Sequence, residues 1–145
     1  MKAVLQRVTR AAVCVDSQTV GAIGAGLLLL LGIAGDDTRE DAEKLAGKIS
    51  RLRIFPDAQG KTNLSAADVG AELLVVSQFT LLADCRKGNR PSFIGAGDPK
   101  AAEALYDYFI EVSRPLFAKV EAGVFAAKME VELVNDGPFT VVLDG

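Results

Sequence analysis

Five consecutive leucines bracketed by glycine, in "GLLLLLGIAG" from Gly26 to Gly35, constrain the fold more than any other stretch of this chain. The run is far too short to cross a bilayer, which takes about 20 residues. A short unbroken apolar run bounded by glycine reads instead as a fully buried strand. Before it, "MKAVLQRV" alternates, placing Val4, Gln6 and Val8 on one face of a strand and Ala3, Leu5 and Arg7 on the other. "AAVCVD" and "QTVGAIGAG" continue in short strands and glycine-rich turns. The period then changes. Ala42, Leu45, Ala46, Ile49 and Leu52 follow helical spacing behind a capping box expected at Asp37 and Glu40. A short strand at Arg53 to Phe55 and a turn from Pro56 to Gly60 lead into "ELLVVSQFTLLAD", a second strongly apolar strand. Asp98 as cap and Pro99 as first residue open a second amphipathic helix. Two final strands, "MEVELV" and "FTVVLDG", flank Gly137 and Pro138. This order predicts an α+β fold: one compact domain over residues 1–145, a mostly antiparallel curled, β-barrel-like sheet and two amphipathic helices.

Composition enters through what it removes. The chain has no histidine, so the commonest general base and metal ligand are missing. Two cysteines are too few for a disulfide framework, and two thiols without histidine make a poor zinc site. Cys14, alternating within "AAVCVD", is expected to be a core thiol. Neither metal nor cofactor is expected. The start alternates and carries Arg7 and Arg10, unlike a cleavable signal, so a cytoplasmic protein without membrane contact is expected. A net charge of −3 argues against a protein that coats nucleic acid along its length. It leaves room for a local patch, and "DCRKGNRPSF" offers one in Arg86, Lys87 and Arg90. The plainer reading of that stretch is a solvated loop.

Two stretches could carry chemistry. Ser77, Gln78 and Thr80, with Phe79 between them, put hydrogen-bonding side chains inside an apolar strand, where polar groups need partners. Either Ser77 and Thr80 bond neighbouring backbone while Gln78 faces water, or the group marks a strand end opening on a pocket. Thr80 makes a weak candidate nucleophile, because no histidine or N-terminal amine is at hand to take its proton. Gly137-Pro138 reads either as a tight turn between strands or as a pair of accessible carbonyls that could accept from an ammonium group.

"SQFTL" at Ser77 to Leu81 and "NDGPFT" at Asn135 to Thr140, with "QRVTRA", "RIFPDAQGKTN", "RPSF" and "AEALYDYF", resemble the D-aminoacyl-tRNA deacylase family over essentially the whole chain. One departure is visible: Phe139 stands where the second motif usually has valine. The resemblance implies hydrolysis of the ester joining a D-amino acid to the 3′-terminal adenosine of tRNA, with glycyl-tRNA as an achiral substrate. It implies a homodimer in which a cis Gly137-Pro138 enters the partner's pocket and excludes an L side chain. It puts the adenosine against Ser77 to Thr80 and against Ala102, Phe125 and Met129. Catalysis would rest on the 2′-hydroxyl of the substrate and on backbone N–H groups near Gln78 and Phe79. Arg7 is expected to brace the Gly-Pro loop across the dimer, and Arg86, Lys87 and Arg90 to meet tRNA phosphates. Two other readings remain: a dimeric small-ligand-binding module without turnover, and the related branch that removes misplaced L-alanine, whose first motif differs from "SQFTL".

Overall fold

The computed structural model describes residues Met1–Gly145. The leucine run forms strand β3 (Gly26–Gly32), and its two faces serve two cores. Leu27, Leu29 and Leu31 belong to the larger core, while Leu28 joins Val8, Val13, Leu74 and Val76 in a smaller one. Burial on both faces is why the sequence here is continuous rather than alternating.

Strand β1 (Lys2–Val15) is the spine. Along one edge its first half pairs antiparallel with β3 and its second half with β2 (Gln18–Ile23). Along the other it pairs with β8 (Glu130–Asp144) over nearly its whole length. On the far side of β3 the pairing turns parallel, first to β6 (Glu72–Ser77) and then to β7 (Lys119–Ala122). Parallel neighbours need crossover connections, which helices supply. Helix α1 (Arg39–Arg51) lies between β3 and β6, and α3 (Pro99–Ser113) between β6 and β7. A small hairpin of β4 (Arg53–Pro56) and β5 (Thr62–Ser65) runs into a single helical turn, α2 (Ala66–Val69).

The mixed sheet curls until its ends nearly meet. A Cβ at Gly21 on β2 would lie 2.9 Å from the Ala122 carbonyl oxygen on β7, an approach that only glycine permits. Lys119 Nζ donates to the Ala22 carbonyl across the same gap at 2.8 Å. The larger core fills the space between sheet and helices, with Ala42, Leu45 and Ile49 of α1 and Tyr106 and Phe109 of α3 facing inward. No helix is long and apolar enough to cross a membrane.

Four local expectations need correction. The capping box of α1 is made by Thr38 and Asp41, one residue later than expected. Asp37 is committed elsewhere, to the Met1 amino group and, at 2.5 Å, to the Ala34 N–H. The strand through "ELLVVSQFTLLAD" stops at Ser77, and Phe79–Leu82 form a 3-10 turn. Cys14 is half-buried rather than in the core, its Sγ 3.5 Å from Thr19 Oγ1. The reason is a bulge at Thr9: between Val8 and Arg10 the spine advances two residues while β8 advances one, which hands the inward face to Ala11 and Val13. Finally, the last two strands are one. Both halves of β8 pair with β1, and between Thr140 and Asn135 it advances five residues where β1 advances two. The Gly-Pro stretch is therefore a loop thrown out of a continuous strand, and the hairpin reading is excluded.

Candidate active site

Where β6 ends, a largely apolar cavity of about 590 Å³ opens. Val76 and Ser77 form one wall, and Gln78 and Phe79, entering the 3-10 turn, continue it. Ala102, on the first turns of α3, forms a second. Phe125, Ala127 and Met129, in the segment leading into β8, form a third. The structure thus brings together Ser77, Gln78, Phe79, Ala102, Phe125 and Met129, six of the residues singled out from the sequence.

One buried hydroxyl ties these walls. Tyr106 follows Ala102 by one helical turn, so both face the same way. Its O–H donates to the Val75 carbonyl at 2.8 Å, with the Gly123 carbonyl 3.3 Å away. Val75 O also accepts the Gly123 N–H at 2.9 Å. The Tyr106 ring leans on Phe125, centroids 5.8 Å apart. Burial, with the Asp107 carboxylate second, pushes the phenol well above its ordinary pKa, so it stays a donor at any physiological pH.

Thr80 is exposed and outside the cavity lining, and its hydroxyl oxygen accepts the Gln78 side-chain amide. The amide nitrogens around it differ in availability. Gln78 N–H is spent on the Leu31 carbonyl at 2.8 Å, whereas Phe79 and Thr80 open the 3-10 turn, where N–H groups have no partner within the turn. Of the two backbone amides expected to serve catalysis, only that of Phe79 is free to do so.

The Gly137–Pro138 peptide is cis and lies outside the cavity of its own chain. Its loop is pinned at the base. Asn135 Nδ2 donates to the carbonyls of Arg7 at 2.8 Å and Phe139 at 3.2 Å. A Cβ at Gly137 would fall 2.3 Å from Phe139 N and 2.5 Å from Asn135 Oδ1, so this corner requires glycine. Arg7 Nε donates to the Asp136 carbonyl at 3.0 Å and pairs with its carboxylate at 3.0 Å. Arg7 Nη1 donates to Ile54 O at 2.5 Å, and the guanidinium sits 4.8 Å above the Phe139 ring. Arg7 thus braces the loop of its own chain, because β1 and β8 are paired neighbours. Phe139 turns inward and packs against the larger core.

The basic stretch forms a loop pinched by a two-way bridge between Asp84 and Ser92, with N···O distances of 2.8 and 3.0 Å. Arg86 is committed to Asp84 through two bonds of 2.9 and 2.6 Å, which hold that carboxyl below its usual range. Lys87 and Arg90 form no ion pair within the chain. Sequence reasoning missed Phe93, which follows the pinch and packs edge-on to Phe79 at 5.1 Å, lining the cavity mouth. Its signal was an aromatic residue inside an otherwise polar loop. No cluster of three or more His, Cys, Asp or Glu side chains could hold a metal.

The family model described as "D-Tyr-tRNA(Tyr) deacylase" matches residues 4–144. A D-aminoacyl-tRNA deacylase of Anaeromyxobacter dehalogenans is 58% identical over 144 residues, covering 99% of this chain and 97% of that protein. Among solved structures, one titled "c-Myc DNA Unwinding Element Binding Protein" superposes with a TM-score of 0.94 at 43% identity, over 100% of this chain and 99% of the other. Another, titled as a probable eukaryotic D-amino acid tRNA deacylase, gives a TM-score of 0.87 at 17% identity over 98% and 97%, and shares the fold. With a family model spanning residues 4–144 and a relative 58% identical over 99% of its length, this chain belongs to the D-aminoacyl-tRNA deacylase family.

Proposed function

We propose that the protein hydrolyses the ester between a D-amino acid and the 3′-terminal adenosine of tRNA, accepts glycyl-tRNA, and rejects L-aminoacyl-tRNA. The observation that carries this reading is 58% identity, over nearly the full length, to a protein named D-aminoacyl-tRNA deacylase, joined to a pocket that gathers the motif residues. The cavity is the size of a small-ligand site and mostly apolar, as a nucleoside requires. Its catalytic demand is modest. An ester is already activated, and the 2′-hydroxyl beside it can assist the attacking water. The protein contributes position and an N–H donor for the developing oxyanion, for which the free Phe79 amide is the candidate. Thr80, with its oxygen engaged by Gln78 and no base nearby, is not the nucleophile in this scheme.

Chirality is assigned to Gly137 and Pro138. Their loop leaves β8 without lining the cavity of its own chain, so a site combining loop and cavity draws the loop from a second chain. The enzyme is therefore proposed to be a cytoplasmic homodimer with two equivalent sites at its two-fold interface. Carbonyl oxygens of the partner's loop would hold the substrate ammonium and leave no space for an L side chain, while glycine has none to exclude. Incubation with matched D- and L-aminoacyl-tRNA, following ester loss, tests the whole reading. Selective loss of the D ester supports it; equal loss of both, or none, overturns it.

A further inference from the structure

At the rim of the cavity, exposed apolar side chains lie next in sequence to the basic loop, a combination that the binding of an adenosine alone does not require. Ile94 is 95% exposed, beside Phe93 at 37% and Phe79 at 58%. Phe79 and Phe93 touch edge-to-face and both line the cavity, and Ile94 is the next residue along the chain. The second feature is charge. From Cys85 to Gly97 the chain carries no carboxylate but three cations. Arg86 pairs with Asp84 at the surface, and Lys87 and Arg90, which form no ion pair within the chain, lie on the loop that the Asp84–Ser92 bridge closes just before Phe93. Flat apolar surface beside unpaired cations is the pattern that takes single-stranded nucleic acid, with bases stacking and phosphates meeting the charges.

We infer that Phe79, Phe93, Ile94, Lys87 and Arg90 form a subsite for the single-stranded nucleotides immediately before the terminal adenosine. This inference rests on the proposed function, in which the cavity holds that adenosine. It gives the enzyme a grip on the unpaired end of tRNA that a free aminoacyl-adenosine cannot use, and so a way to prefer the polymer over its fragment.

The test compares direct binding of a four-nucleotide single-stranded RNA ending in adenosine with binding of adenosine monophosphate. The protein should bind the tetranucleotide at least about tenfold more tightly, and Ile94→Ser combined with Lys87→Ala and Arg90→Ala should erase that advantage. Equal affinity for the two ligands in the unaltered protein would overturn the subsite. So would an unchanged advantage in the variant, or a change in its oligomeric mass by light scattering, which would make the rim a contact between copies. Hydrolysis assayed in parallel separates the two readings: tetranucleotide preference without deacylation removes the proposed reaction and keeps the subsite, and deacylation without preference does the reverse.

Discussion

Two hydroxyls illustrate how much a side chain's partners decide. Thr80 draws attention in the sequence, yet its oxygen accepts a hydrogen bond from Gln78 and nothing stands ready to take its proton. Thr80→Ala should keep kcat within about tenfold, since general-base assistance is absent already. A loss of several orders of magnitude with a trapped acyl-enzyme would make Thr80 the nucleophile. Tyr106 looks like ordinary core in the sequence, but its O–H joins α3 to the Val75 carbonyl behind Ser77. Tyr106→Phe leaves Val75 O with the Gly123 N–H, so the cost in stability should be about 1 kcal/mol by urea denaturation. Its pH dependence has a definite sign. The folded-state pKa is raised, so the phenol's contribution is complete below the ordinary value of 10.0 and declines as pH rises beyond it. The stability gap between the native protein and Tyr106→Phe should therefore narrow above about pH 10, and a gap constant across that range would contradict the assignment.

At the scale of elements, β8 is the informative one. Its alternation of half-buried and exposed residues continues on both sides of the Gly-Pro loop, so the strand resumes its register against β1 after the excursion. The loop can project because its base is fixed by Asn135 and Arg7, while its tip, Asp136 to Pro138, is exposed. Gly137→Ala would drive a Cβ into Phe139 N and Asn135 Oδ1, and one of these must move. Because the clash falls on backbone and on the residue that pins the loop, while the tip itself is exposed, the melting temperature should drop but the protein should still fold. On the proposed reading D-aminoacyl-tRNA hydrolysis should fall by about 100-fold, the scale of an ångström-sized misplacement of a positioning group. Retained activity in a folded Gly137→Ala protein would remove the loop from the site.

For the molecule as a whole, the separation of loop and cavity sets the expected assembly. Light scattering should give twice the chain mass of 15.3 kDa, and an active monomer would contradict the two-chain site. Charge sets the second expectation. With Arg86 held by Asp84, the basic loop offers two free cations, Lys87 and Arg90, and each phosphate contact contributes a slope of about −0.7 in log K against log salt on a single strand. The slope for tRNA binding should therefore be roughly −1.4, steepening to roughly −2 in Asp84→Ala, which frees Arg86. A much steeper slope in the native protein would place further phosphates on other surfaces.

Much of the architecture was legible in the residues themselves. The leucine run, the helical spacing from Ala42 to Leu52 and the Asp98-Pro99 start are local signals, because burial on two faces, a 3.6-residue period and a capped first turn each leave their own pattern. Ser77 and Gln78 stand out in the sequence as polar groups within an apolar strand, Ala102, Phe125 and Met129 only through the resemblance, and the cavity gathers them all. What the sequence could not show were matters of pairing between distant segments. Asp37 leaves the cap of α1 because the Met1 amino group claims it, and Cys14 turns outward because a bulge at Thr9 changes the parity of β1. Arg86 is withdrawn from the basic patch by a carboxylate two residues away, which spacing permits but only the fold of the loop selects. Gly137 and Pro138 lie between what read as two strands, and only their common partner β1 makes those strands one and the dipeptide a projection. Local sequence fixes the period of an element; which element lies beside it is decided by the packing of the entire chain.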